Sequence, residues 1–363
     1  MRMRKLSITV RETSHASTIP LHHRGLKANG PNPFNPVTRF RDLFRGRKPN
    51  KVITAEKLLR SFVNLREVQL HCANEAEEQD FGTQRPLLLS SIQAYSSTLT
   101  SIGLAISPLS FFFSTFLPTL PTFPTLERLS LRLITMAYIS GDPAKFELAL
   151  KDVVAPFINR HSQTLCFIQV IADAFLEAYD LLTLFDNIDY IPHLKTLEIP
   201  FLLIRLPTSR SLHRLLRSHS TSLEDLILYV PFMTGESSLH AKSSFAAILT
   251  PLPHLKKLEI HAVPVHALRV ADLSSTHFIN YVSRFSGQLS SFALYTKFLV
   301  SDDWKRFSGM DWNCLTSLSL GLAIATPAVF DAFPNKFPLL WSLSLVVGAF
   351  QETFDNEGSI EKL

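Results

Sequence analysis

Thirteen histidines, three cysteines and 31 acidic residues are the groups that could do chemistry in this chain of 363 residues, and their spacing decides which chemistry is open to them. His261 and His266 lack an intervening Glu and the i, i+4 spacing that places two zinc ligands on one helical face. Cys72, Cys166 and Cys314 lie far apart, with no CxxC and no Cys/His ligand spacing, so neither a metal knuckle nor a disulfide framework is expected. Cys166 and Cys314 flank apolar framework positions and are expected to pack rather than react. His161 and His219 stand in matching stretches, RHSQTL and SHSTSL, while His193 and His254 stand in IPHLK and LPHLK; a capping or turn role is expected of all four. Only 12 Gly accompany 22 Pro, no Gly-rich phosphate loop or nucleophile elbow is present, and no spacing singles out a Ser–His–Asp triad. The chain is read as a non-enzyme, with no catalytic residue, no cofactor and no metal.

The elements that would position any of these groups are set by a repeat. Residues 191–199 read IPHLKTLEI and residues 252–260 read LPHLKKLEI. Their shared spacing, L-x-x-L-x-L with other apolar residues allowed, occurs ten times, from Leu65/Val68/Leu70 and Leu99/Ile102/Leu104 through to Leu315/Leu318/Leu320 and Leu340/Leu343/Leu345. Steps between first positions run 34, 27, 39, 29, 29, 32, 34, 26 and 25, a period typical of leucine-rich repeats. The last two apolar positions of each motif are two apart and share one side of a short strand. One such strand cannot bury its face alone, but many stacked side by side make a parallel sheet backed by helices.

The returning segments carry helix signals. Asp142-Pro143 is an N-cap followed by Pro, and Phe146, Leu150, Val153, Val154 and Phe157 follow at helical spacing. Thr326-Pro327 repeats the start signal, and residues 54–62, 211–220 and 276–285 are similar amphipathic pieces. Strand, helix and parallel strand make a crossover expected to be right-handed. The predicted fold is therefore α/β: a right-handed leucine-rich repeat solenoid of about ten irregular repeats, with a parallel sheet on the concave face and helices on the convex face. Approaches to the strands alternate between a Pro-containing kind (FPTLERLSL, IPHLKTLEI) and a Ser-containing kind (RHSQTLCFIQV, SHSTSLEDLIL), giving a double unit of about 60 residues.

Residues alternating with the apolar strand positions should line the concave face. The partner-binding candidates are Glu67, Gln69, Arg128, Arg132, Glu198, Asp225, Tyr229, Lys257, Glu259, His261 and Tyr295. Mixed charge with Tyr and Arg suits an unknown protein ligand, held on this face or on the loops that follow the strands.

Charge divides the chain. Residues 1–60 hold 14 Lys/Arg and 3 Asp/Glu, and the remainder holds 22 and 28. Residues 1–52 are a basic N-terminal segment that contains a first partial repeat strand at Met3/Leu6/Ile8, and residues 53–363 are the repeat domain. The array is expected to be cut at one or both ends. The alternative function is binding of nucleic acid or an anionic membrane through the basic arm. Nucleic acid is not the expected partner, because the arm lacks a dense Lys/Arg block and has few aromatics for stacking on bases. No charge occurs between Arg85 and Glu127, yet Pro108, Pro118 and Pro121 interrupt that stretch, so no membrane span is expected. The separated cysteines and the lack of an N-x-Ser/Thr sequon fit an intracellular location, cytoplasmic or nuclear.

The alternation of P-x-L-x-x-L-x-L with H-S-x-x-L-x-x-L-x-L, after the run HASTIPLHHRG…NPVTRFRDLFRGRKPNKVITAE, resembles the leucine-rich portion of F-box-like proteins of mushroom-forming fungi. That resemblance covers nearly the whole chain. It implies substrate reception for a Skp–cullin ubiquitin ligase, with a Skp-type adaptor as partner only where a longer form carries an F-box. No Leu-Pro-led F-box precedes the repeats in this sequence.

Overall fold

The computed structural model describes residues 5–9, 65–71, 89–90, 92–106, 115–133, 143–172, 181–200, 206–232, 250–264 and 275–350. Among them eleven strands lie side by side in chain order in one sheet. All ten pairings are parallel. The strands are β1 (Lys5–Thr9), β2 (Glu67–His71), β3 (Ser101–Ile106), β4 (Arg128–Leu133), β5 (Phe167–Ala172), β6 (Thr196–Pro200), β7 (Asp225–Phe232), β8 (Lys257–Pro264), β9 (Ser291–Leu299), β10 (Ser317–Ala325) and β11 (Ser342–Phe350). Every copy of the apolar motif falls on a strand, and the copies align. Val68, Ile102, Leu129, Ile168, Leu197, Leu226, Leu258, Phe292, Leu318 and Leu343 form one row across the sheet, which Leu6 extends at β1.

Because strand side chains alternate in direction, this row and the row two residues on point to one side of the sheet. From β2 to β10 they join the apolar helix residues there in one buried cluster. Each fully buried Leu contributes roughly 1.5–3 kcal/mol. The helical layer includes α1 (Pro143–Ala149), which passes through a π-helical turn at Leu150–Val154 into α2 (Ala155–Arg160). It continues with α3 (Leu182–Asn187), α4 (Leu206–Ser218), α5 (Ser275–Val282), α6 (Ser301–Ser308) and α7 (Pro327–Lys336). Phe146, Leu150, Val154 and Phe157 are buried, while Val153 packs against the core only in part. In α4, Leu212, Leu215 and Leu216 face the core and Arg214 and Arg217 face out. Thr326 and Pro327 open α7 as the sequence suggests, although the Thr326 side chain makes no capping bond. The helix predicted over 54–62 and the capping Asp142 lie outside the described residues. No helix among the described residues is long and apolar enough to cross a membrane.

The two kinds of approach are two kinds of turn. In the Ser-containing kind, the residue four before the buried Leu offers its carbonyl to two N–H groups. Thr98 and Leu99 donate to Tyr95, Thr164 and Leu165 to His161, Ser222 and Leu223 to His219, and Gln288 and Leu289 to Phe285. In the Pro-containing kind the turn closes one residue earlier. Leu126 donates to Phe123, Leu194 to Ile191, Leu255 to Leu252 and Leu340 to Phe337, and Leu315, whose approach has no Pro, closes the same short turn on Trp312. The kinds alternate from Leu99 through Leu315, and Leu340 repeats the shorter kind. After either turn, the carbonyl just ahead of one strand accepts two N–H groups from the next approach. This ladder runs from Arg66 to Ser342, so the two turn shapes feed a single register.

The final motif departs from expectation. Leu343 was predicted as core but is 43% exposed, with Leu339, Trp341 and Val346 exposed around it. Among the described residues β11 has only β10 beside it, so its apolar positions lack the cover that two neighbours give an inner strand.

Candidate functional site

The helix-free face carries the residues between the core positions, and parallel register converts sequence alternation into rows. In β2, Gln69 Nε2 donates to Glu67 Oε1 at 2.9 Å. Gly103 follows on β3; a Cβ there would stand 3.1 Å from the Gln69 side chain. Ser130 donates to Gln169 across β4 and β5, and the Arg128 guanidinium lies 4.0 Å over the Phe167 ring, a cation–π contact. Arg132 is exposed on the same strand. The predicted face residues of this half are thus present, and Gln169 and Phe167 join them.

A denser group sits on β6 to β9. The Tyr229, His261 and Tyr295 side chains occupy one row of the register. Their rings stack: 4.7 Å and 23° between Tyr229 and His261, then 4.5 Å and 27° between His261 and Tyr295. The Tyr229 hydroxyl donates to the Glu198 carboxyl, and Thr196 donates to Asp225 at 3.2 Å. Lys257 Nζ contacts Glu259 Oε1 at 2.7 Å, and His261 Nε2 lies 3.3 Å from Glu259 Oε2. A carboxylate has no proton to give, so that imidazole nitrogen carries the hydrogen.

These contacts shift the acids and bases in consistent directions. The hydrogen bonds from His261 and then Lys257 hold Glu259 at about 2, against the desolvation that works the other way. Burial is the largest single influence on the Lys257 ammonium and opposes it, but the hydrogen bond to Glu259 together with the charges of Glu259 and Asp225 raises its pKa. Burial pushes the Tyr229 phenol up, and the Glu198 hydrogen bond and charge add to that. Glu198 corrects the expectation of an exposed strand residue: it lies on the predicted face, yet only 7% of it is exposed, and it is hydrogen-bonded to the Tyr229 hydroxyl.

Two of the remaining candidate groups, His161 and His219, have structural partners. His161 and His219 are buried, and each ring joins two turns. Nε2 accepts the Phe123 N–H at 3.1 Å in one case and the Ile191 N–H at 2.9 Å in the other. Nδ1 reaches the carbonyl four residues back, Phe157 or Leu215, at 2.8 Å in both. Both imidazoles are therefore neutral Nδ1–H tautomers, and burial lowers both pKa values. His193 and His254 are exposed in their turns. Burial raises the Cys166 thiol, which makes it a poor nucleophile, whereas Cys314, expected to pack, is exposed. Cys72, His266 and most of the strand-following loops lie outside the described residues. No group of three or more His, Cys, Asp or Glu able to hold a metal occurs among the described residues.

No family model matches the chain. No curated protein matches it either.

Proposed function

We propose that this chain is a right-handed leucine-rich repeat solenoid acting as a non-catalytic protein-binding scaffold through the helix-free, concave face of its sheet. The observation that carries the reading is the row of pre-bonded polar and aromatic side chains on β6 to β9, held by strands whose motif residues on the other face, such as Leu197, Leu226, Leu258 and Phe292, are buried in the core. Such a face offers Tyr, one of the residue types enriched among partner anchors, at low ordering cost. By its resemblance to fungal F-box-like proteins, the scaffold would receive substrates for a Skp–cullin ubiquitin ligase in a longer form that carries an F-box.

A photo-cross-linking amino acid tests the surface. Placed at Ser291 on the open face, it should capture protein partners from cell extract in clear excess over the same probe at Lys151 or Arg217 on the helical side. Equal capture at the three positions refutes the reading. Co-purification of a Skp-type adaptor with a form extended at the N-terminus tests the ligase context.

A further inference from the structure

We infer that β11 is a self-pairing edge, at which two copies of the chain join β11 to β11 antiparallel and make one sheet across a two-fold axis. The contact lies at the end of the array and leaves the open face of β6 to β9 free, so it stands apart from the proposed scaffold role.

The strand is built as a template and lacks the usual defences. β11 runs nine residues, Ser342–Phe350, and among the described residues it has β10 on one side only. An edge presents a row of N–H and C=O groups to any strand that can approach it. Natural edges are guarded by charge, by Pro on the edge, by bulges or by being short. Here the pairing with β10 shows no register shift, and Pro338 lies ahead of the strand rather than within it. No charged residue occurs between Lys336 and Glu352. Apolar side chains are bare as well. Trp341, directly before the strand, is 81% exposed, and Leu343 on the helix side is exposed too. Val346 alternates with Leu345 and Val347, so it points to the open face, where it is 60% exposed. Large apolar groups gathered in one place mark a contact surface, which single ones do not.

Self-complementarity identifies the occupant as a second copy. In a two-fold pair each side chain meets one from the same strand, and like charges placed opposite each other are destabilising. A stretch without charge meets itself free of that penalty. Antiparallel pairing centred on Val346 sets Val346 against its own copy and Leu345 against Val347, two residues that pack only partly against the core. It also gives β11 the second neighbour that β2 to β10 already have, and their inner-row residues are buried. The far edge fits less well, since β1 is five residues long and opens on Lys5. A β11-to-β1 contact would also be head-to-tail and grow as an open filament, whereas β11-to-β11 closes at two copies.

Sedimentation equilibrium of the full chain should give twice the chain mass, with dissociation on dilution. Val346→Lys changes a side chain that is exposed in the single chain, so the fold tolerates it. It sets two ammonium groups face to face at the axis and should weaken the dimer about tenfold or more. Leu148→Lys alters a comparably bare residue on α1, between β4 and β5, and should leave the dimer unchanged. Hydrogen exchange locates the contact: β11 amides should slow as the wild-type chain is concentrated, β1 amides should not, and Val346→Lys should abolish the effect. A chain that stays monomeric on concentration overturns the inference, as does equal weakening by the two Lys variants. Protection gained at β1 instead of β11, or growth beyond two copies, overturns it as well.

Discussion

Replacing His161 and His219 by Phe should make the protein less stable at neutral pH and less sensitive to mild acid. Phe285 shows that a phenyl ring fits this place, because its turn keeps the same two backbone bonds to Gln288 and Leu289. The substitution therefore removes chemistry with little change of shape. At His219 it orphans the Ile191 N–H, whereas the Leu215 carbonyl keeps the His219 N–H and the Ser218 hydroxyl as donors. An unsatisfied buried N–H costs about 1–3 kcal/mol, and the more apolar ring recovers part of that, leaving roughly 1–2 kcal/mol per site. The two sites share no partner, so the double variant should lose roughly 2–4 kcal/mol near pH 7.5. The pH dependence follows from the direction of the shift. Burial lowers both imidazole pKa values below that of the unfolded chain, so the unfolded state binds more protons as acid is added. The stability that depends on neutral imidazole is complete above the unfolded pKa of about 6.5 and drains away as pH falls toward the folded value. Urea midpoints of wild type and double variant should differ most near pH 7.5 and converge near pH 5.5. A double variant that matches wild type at pH 7.5, or that keeps the whole wild-type acid sensitivity, refutes the bridging role of these rings.

Other outcomes follow from single contacts. Leu197→Ala should lower stability by about 2–5 kcal/mol in urea unfolding, and Leu197→Asp should unfold or aggregate the array, since the side chain is buried in the inner row. Wild-type melting of Leu197→Asp would refute the strand assignment. Tyr229→Phe deprives Glu198 of its hydroxyl donor and should cost about 1.5–3 kcal/mol; an unchanged urea midpoint would mean that the bond carries nothing. A Cβ at Gly348 would stand 2.8 Å from the Ala323 carbonyl oxygen, so Gly348→Ala should push β11 off β10. Hydrogen exchange should then quicken in β10 and β11 and stay the same in β6 to β8, and uniform quickening would contradict that locality.

Much of the scaffold was legible because parallel pairing carries a sequence spacing directly into a row: motif residues such as Leu197 and Leu258 mark register as well as burial. The alternation of Pro- and Ser-containing approaches was legible too, since it corresponds to turns of different length. Burial of Glu198 was not, because its cover, Tyr229, comes from the next strand and depends on a rotamer that no spacing encodes. The ladder has a spacing of its own in the sequence: Tyr229, His261 and Tyr295 each stand six residues after the first Leu of their motif. What distinguishes His161 from His193 is place in the turn: His161 is the residue whose carbonyl closes its turn and its ring points inward, a place that Ile191 fills in the shorter turn, whereas His193 stands directly before Leu194 and is exposed.

The imidazole bridges bear on how such an array can be lengthened or shortened. Each spans from a long turn back to the short turn before it, so the cohesive module is a mixed pair rather than a single strand and its return. An engineer splicing copies into this protein should cut after a long turn and insert pairs; an odd insertion would set like beside like and leave one junction unlatched. The succession of short turns at Leu315 and Leu340 is already such a junction, and there the sheet reaches β11, whose inner-row Leu343 is exposed.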